Sequence, residues 1–528
     1  MPNHHDRRFT ARQVRQEAAE LEFLEPQPLH PNNGDEARYS NRIGNSTKGL
    51  GHDPITGEVI PADYNAMLSA LASGNHADFD ALATNGHLGC NDPAKRRRFV
   101  NPRSAYAYDL QGADPHQFAM RAAPAFASAE EAGEMVELYW MALARDVNFL
   151  DYGTNAITMA AAADLSSLSD FRGPKVSGNV TAQTLFRDHY PGCTTGPYIS
   201  QFLLQPVNFG SQTLDMRIHS NAAGIDFVTI FPDWLNDING CAPTATLTPA
   251  GPFFCHTGRD ISQYVHVDVL FQAYFVACLN LLSGSYPGDD GNPYGKAIDH
   301  TGTGVPLPSG FTGALADVGF GTFGAPTILT LVCEVATRAL KHQWYQKWSV
   351  HRRLRPEEFG GHVEVQRRLG TATYPFHPDL LASGVLARIK ALPSGTHLLP
   401  LAYPEGSPVH TAYGSGHATV AGASVTVLKA FFDESAIIQN PMMPNASGTG
   451  LVPYVGPPLR VGGELNKLAS NISQGRNIAG VHWRTDATEA NKLGEEVAIS
   501  ILRDMRHLCR EPFAGYSLTR FDGTTINV

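Results

Sequence analysis

The chain has 528 residues, 43% hydrophobic and 17% charged. This is ordinary globular composition, with material for a large core and, at roughly 150 residues per domain, length for about three domains. A formal net charge of −10 argues against a nucleic acid or an anionic membrane as partner. No run of about 18 apolar residues offers a membrane span, and the opening MPNHHDRRFTARQ lacks the apolar stretch of a conventional secretory signal, so a soluble protein of unassigned compartment is expected.

In chain order, residues 1–130 are rich in Pro, Gly, Asn and Asp and show little periodicity. They read as an N-terminal arm with short helices, and wrapping a partner subunit is one use for an arm of this size. A helix is predicted over 130–150, where Val136, Tyr139, Trp140, Leu143 and Val147 fall near one face. It opens a helical and irregular region, 131–260, that includes a β-like piece at 227–231. From 261 to 528 helical signals dominate, over 262–282, 327–350, 417–432, 464–477 and 486–506, with Pro326 suited to a first helical turn. A Gly/Pro-rich loop, 284–324, separates the first two. The expected fold class is mainly α: helical bundles with long irregular loops and an N-terminal arm, and a catalytic bundle region at 261–528.

The seven cysteines include no CxxC pair, so a structural zinc site is not expected. Cys241 and Cys255 could close a loop, although an odd, sparse set reads more readily as free thiols. There is no P-loop, HExxH or GxSxG. A GxGxxG at 319–324 has no strand before it and reads as a loop end.

Three segments of the last region gather oxyanion-binding groups. In the first, Lys347 lies on a helix, and Arg355 precedes Pro356, which biases it out of the α region and into a loop that can swing back toward Lys347. In the second, Ser415 and Gly416 sit where an apolar helix begins, so unpaired N–H groups and the positive dipole end suit an anion. His417 follows in the first turn, where the dipole favours a neutral ring. In the third, Gly480 ends or bends the helix carrying Arg476 and lets His482 turn toward the same point, with Asp486 four residues on. Each segment also has a plain structural explanation: a basic helix end, a serine N-cap, and a capping box begun by Asp486 with Glu489.

Taken together, in the order Lys…Arg-Pro, Ser-Gly-His, Arg-x5-His-x3-Asp, the segments resemble the superfamily shared by vanadium haloperoxidases and type-2 phosphatidic-acid phosphatases. Seven residues separate Lys347 from Arg355, as in algal bromoperoxidases, where typical phosphatases have six. EVATRAL (334–340), HRRLRPE (351–357), GSGHA (414–418), GELNKLA (463–469) and FDGTT (521–525) look like red-algal and cyanobacterial bromoperoxidase segments. STKGLGHD (46–53) and TLFRDHYPG (184–192) extend the likeness upstream.

The resemblance implies vanadate as cofactor and an enzyme that oxidises bromide and iodide with hydrogen peroxide to hypohalous acid, halogenating organic acceptors. It implies that His482 bonds to vanadium, that Lys347, Arg355, Ser415, the Gly416 amide and Arg476 hold the vanadate oxygens, and that His417 is the acid–base histidine. A cation beside bound peroxide, Lys347, would make it a better oxidant. Asp268 would pair with an active-site arginine, or else be a surface helix aspartate, and Asp486 would orient His482.

His410 occupies a place where bromoperoxidases have histidine and fungal-type chloroperoxidases phenylalanine. Trp344, three residues before Lys347, would wall the site as in chloroperoxidases, or simply pack in the core. Bromide and iodide turnover with minor chloride turnover is the expectation. The resemblance also implies a homo-oligomer, dimer-based and as large as a dodecamer. Calcium in the acidic loop of Asp289, Asp290 and Asp299 is a further expectation, although their spacing does not match. The competing readings are an acid phosphatase acting through phosphorylated His482, and a helical assembly that merely binds phosphate.

Overall fold

The computed structural model describes residues 4–304, 306 and 316–528. Residues 305 and 307–315 of the predicted Gly/Pro loop lie outside the described residues. Ten helices carry the architecture: α1 (His4–Leu24), α2 (Pro61–Ser73), α3 (Ala129–Ala144), α4 (Gly258–Val267), α5 (Gln272–Ser283), α6 (Ala325–Tyr345), α7 (Pro356–Leu369), α8 (Gly416–Phe431), α9 (Val461–Ile478) and α10 (Arg484–Leu508). Four separate two-stranded antiparallel pairs are the only sheets among the described residues. Mainly α is therefore the observed class.

The bundle is built around α8, every residue of which except His417 is buried. Small residues let its neighbours approach. A Cβ on Gly494 of α10 would lie 2.0 Å from the Thr419 carbonyl oxygen, and one on Gly422 would lie 2.0 Å from that of Asn491. Backbone thus meets backbone at this crossing, and the N-terminal ends of α8 and α10 come together, where the Ser415 N–H donates to the Asp486 carbonyl at 2.8 Å. Helices α6 and α9 complete the bundle around α8. Helix α3 is buried on nearly all faces rather than on one stripe, because helix Ala156–Ser167, the short helices Pro378–Ala382 and Val385–Lys390, and α9 all pack on it.

Several elements depart from the sequence expectation. The apolar run at 262–282 is two helices, α4 and α5, bent by 101°; Asp268, extended at φ −65° and ψ 149°, ends the first. Helix α6 stops at Tyr345 and passes into a π-helical turn, Gln346–His351, which carries Lys347 and ends at left-handed Arg352. Helix α7 was not anticipated. Its signals are nonetheless ordinary: Pro356 in the first turn, acidic Glu357 and Glu358 after it, Arg367 and Arg368 at the end, and left-handed Gly370 as cap. Gly360 and Gly361 in its middle disguise it. A Cβ on Gly361 would meet the Trp234 ring at 1.8 Å, so the glycine is there for packing. Helix α10 begins at Arg484, so Asp486 is not the N-cap residue; it sits in the first turn and caps the start from there, through the Trp483 N–H. The piece at 227–231 makes one bridge, Phe227 to Leu401, before the chain turns helical at Phe231.

The N-terminal arm is longer in helix than expected and folds onto its own chain. Helix α1 spans 21 residues and lies against α10. Lys48 is fully buried, with its ammonium bonded to Asp237 (2.7 Å) and Glu357 (2.7 Å). Cys241 does not pair with Cys255. It forms a disulfide with Cys90, 151 residues away, while Cys255 is a buried free thiol. In the acidic loop, Asp299 accepts from the N–H groups of Thr301 and Gly302 (both 2.9 Å) and Gly304 (2.8 Å). Among the described residues no three His, Cys, Asp or Glu side chains converge as a metal cluster would require. The GxGxxG at 319–324 is a loop closed by a Phe320–Phe323 bridge. No single described helix is long and apolar enough to cross a membrane.

Candidate active site

The pocket lies where the π-turn after α6, the start of α7, the N-termini of α8 and α10, and the C-terminal end of α9 meet. Arg355 is extended at φ −83° and ψ 156°, as the following proline requires, and this turns its side chain inward. Its Nε donates to the His410 carbonyl at 2.9 Å and one Nη to the Val481 carbonyl at 2.6 Å. The same Nη lies 3.0 Å from His482 Nε2, and the other lies 2.9 Å from His410 Nδ1. Lys347 donates to the carbonyls of Thr411 (2.6 Å) and Ala412 (2.9 Å). Arg476 donates to the Val265 carbonyl at 2.8 Å and to the Tyr403 hydroxyl at 3.4 Å, while its Nε is buried without a partner.

Ser415 is the N-cap of α8. Its hydroxyl accepts from the Ala418 N–H at a long 3.4 Å, so the structural explanation holds for it. The first amides of α8, from Gly416 on, have no intrahelical partner. Trp344 does wall this end: its ring centroid is 5.0 Å from that of His410, its Nε1 donates to the Val100 carbonyl at 2.8 Å, and it lies 3.2 Å from where a Gly416 Cβ would be.

The two remaining carboxylates serve the histidines. Asp268 is neither on the surface nor bonded to an arginine. Its Oδ1 lies 3.0 Å from His417 Nε2 and its side chain is 5% exposed. Burial pushes its pKa up, but His417 and the more distant charge of Arg476 outweigh this and hold it below the usual carboxylate range. Asp486 Oδ2 lies 2.8 Å from His482 Nδ1 and also accepts from the Trp483 N–H at 3.1 Å. Asp486 thus both orients the histidine and caps the helix start, but as the residue within the first turn.

This arrangement leaves three cations unneutralised. Lys347 and Arg355 are 0% exposed and Arg476 is 5% exposed, yet among the described residues none of them forms an ion pair, since Asp268 and Asp486 are engaged with His417, His482 and Arg353. Burial together with the neighbouring cations pushes Lys347 far below an ordinary lysine, and burial lowers Arg355 to about 10. His482 and His410 are driven far down by burial and then by the same cations, so both rings are neutral. Keeping three basic side chains charged in one buried space is costly without a counter-charge, so the arrangement calls for an anion. Arg476 Nε–H, Arg355 Nη and the α8 amides are donors of the kind a tetrahedral oxyanion accepts. The neutral His482 ring, with its proton held at Nδ1 by Asp486, keeps a lone pair on Nε2. The donor set therefore fits vanadate.

Sequence reasoning missed Tyr403, which touches Arg476, and Arg353, which touches Asp486. Tyr403 sits in no recognisable motif. Arg353 is two residues from Arg355, and nothing in the local sequence separates it from Arg352.

Fold and pocket together define a helical-bundle protein built to hold an oxyanion beside a neutral histidine. Residues 394–511 match the family described as the VCPO second helical-bundle domain. The chain is 34% identical to the vanadium-dependent bromoperoxidase of Corallina pilulifera, over 94% of each chain. It is 33% identical to that of Ascophyllum nodosum, over 86% of this chain and 81% of the relative. The homohexameric structure of the second vanadate-dependent bromoperoxidase from Ascophyllum nodosum superposes with a TM-score of 0.87 at 28% identity, covering 99% of this chain and 90% of that one. The chain belongs to the vanadium-dependent bromoperoxidase family. It is an enzyme, and its cofactor is vanadate.

Proposed function

We propose that the pocket holds vanadate through Lys347, Arg355, Ser415, the Gly416 amide and Arg476, with His482 Nε2 as the metal's protein ligand. The observation that carries this reading is the set of three buried basic side chains that form no ion pair beside His482, whose Nδ1 lies on Asp486. Vanadate held by these residues would supply Lewis-acid activation of hydrogen peroxide toward halide.

The chain's own residues do the rest. Asp486 holds the His482 proton on Nδ1. Lys347, Arg355 and Arg476 offset the anion's charge in a dry site, where such contacts are strong. His417 stands at the mouth, 19% exposed, with its Nε2 on Asp268; this suits it to take a proton from incoming peroxide and return it to a leaving oxygen. Trp344 and His410 exclude water on the halide side. Bromide and iodide are the halides of this reading, chloride is turned over more slowly, and organic acceptors are halogenated by the hypohalous product. The catalytic region is 261–528, with 131–260 and the arm 1–130 packed upon it. The working form is a homo-oligomer built from dimers, as large as a dodecamer.

The test is bromination of a β-diketone indicator by metal-stripped protein given peroxide and bromide, before and after vanadate. Activity that appears only with vanadate, and is lost in His482→Ala, is expected. Phosphate-ester cleavage without halide oxidation under any loading would move the chain to a phosphatase reading, since the same donors accept phosphate.

A further inference from the structure

The run from His351 to Arg355 uses its three arginines for different ends. Arg355 faces the pocket. Arg352 reaches out to Glu36 of the arm, with its Nε 2.8 Å from Oε1. Arg353 points the other way, behind His482, and is 1% exposed. One Nη donates to Asp486 Oδ1 at 3.0 Å and to the Thr485 hydroxyl at 2.7 Å. The other donates to Glu134 at 2.8 Å and to Glu131, both on α3. The guanidinium carbon lies over the Trp483 ring, 4.6 Å from its centroid. Glu134 in turn accepts from the Thr485 N–H at 2.8 Å and from its hydroxyl at 3.0 Å.

Asp486 is therefore gripped from both sides. Its Oδ2 serves His482 Nδ1 and the Trp483 amide, and its Oδ1 is fixed by Arg353. A carboxylate held by only one oxygen could rotate; held by both, it fixes the plane and direction of the imidazole.

We propose that Arg353, braced by Glu131 and Glu134, is a positioning residue for vanadate: it locks Asp486 so that His482 presents the Nε2 lone pair to the metal. This rests on the reading of His482 as the metal's ligand. Helix α3, more than 200 residues upstream of the pocket motifs, thereby becomes part of the cofactor site. The fork matters as much as the charge. Four acceptors, one each on Glu131, Glu134, Thr485 and Asp486, are met by one planar group, and a lysine, with a single nitrogen, cannot meet them all. Partners one step behind a ligating histidine are typically worth about 10–100-fold in metal affinity.

Two oxyanions separate positioning from mere structural support. Vanadate bonds to an imidazole nitrogen at equilibrium; inorganic phosphate does not, and is held only by the cations, Ser415 and the Gly416 amide. Equilibrium dialysis of the metal-stripped, full-length protein against each anion is the measurement, on wild type, Arg353→Lys and Glu131→Gln, with circular dichroism and thermal melting as folding controls. In folded Arg353→Lys, vanadate binding is expected to weaken by about 10-fold or more and phosphate binding to stay within about twofold. Equal loss for both anions, or loss for neither, overturns the proposal. Glu131→Gln keeps shape and covers the case in which the lysine variant does not fold: a smaller loss confined to vanadate supports the proposal, and unchanged vanadate binding overturns it. Wild type that prefers vanadate no more than phosphate would remove the reading of His482 itself, and this inference with it. Wild type with its preference intact and variants unaltered would remove this inference alone.

Discussion

At the scale of single residues, the sharpest consequence of the geometry concerns Asp268. Its contact with His417 Nε2 at 3.0 Å fixes the direction of the ring and leaves Nδ1 as its free nitrogen. Asp268→Asn should lower kcat by about 10-fold or more, a fraction of the roughly 10²–10⁴-fold that a positioned acid–base group supplies, while leaving vanadate affinity near wild type. A loss of vanadate binding with kcat intact would count against that role. The sequence made most of the pocket legible because an oxyanion site demands particular residue types at turns and helix starts: Arg355 before proline, Ser415 and Gly416 at an N-terminus, Arg476 and His482 across a glycine. It misdirected Asp268, because the partner of a carboxylate is decided by which helices cross, and Asp268 meets His417 only because α4 breaks where it does.

At the scale of elements, periodicity found the bundle but not its joints. The 262–282 run holds no glycine or proline, so nothing in its pattern marks the 101° corner. The corner is set by packing, with Asp268 turned into the site instead of continuing the helix. Helix α7 was hidden by Gly360 and Gly361, whose low helix propensity is overridden by the close approach of Trp234. The Cys90–Cys241 bond was equally invisible, since spacing along the chain says nothing about which thiols meet. It ties the arm to the segment after helix Phe231–Ile238, and hydrogen bonds from Arg97 Nη2 to Ser407 and from Val100 N to Val409 (2.9 and 3.1 Å) continue that tether to the loop bearing His410. With 151 residues between the cysteines, Cys90→Ser should lower unfolding free energy by about 2–4 kcal/mol through the wider freedom of the unfolded chain. Denaturant unfolding of oxidised wild type against the variant checks this, and coincident curves would show the bond contributes nothing.

At the scale of the whole molecule, buried histidines set the acid limit. Burial lowers His52 and His342 to about 4 and His351 and His362 to about 3, from 6.5. Above pH 6.5 both folded and unfolded chains hold these rings neutral and stability is full. As pH falls below 6.5 the unfolded chain takes up protons that the folded one refuses, so stability drops by up to about 1.4 kcal/mol per pH unit for each ring, until the folded rings titrate near 4 and 3. Urea midpoints measured from pH 7 to 4.5 should fall steadily. A flat profile would mean that these rings are not held neutral.

The burial of Lys48 has a consequence for how such a chain is made. Its two counter-charges, Asp237 and Glu357, lie about 190 and 310 residues later, and the thiol that anchors Cys90 comes at position 241. During synthesis the arm thus emerges first and is seated late, because the partners that make its burial tolerable are not yet made. Chain growth from the N-terminus would leave it waiting, with one ammonium and one thiol in water, until residues 237, 241 and 357 have followed. The same α3 that emerges early with Glu131 and Glu134 waits for Arg353 and Asp486. The pocket is therefore finished only when the last third of the chain arrives, and a truncated product carries no partial version of it.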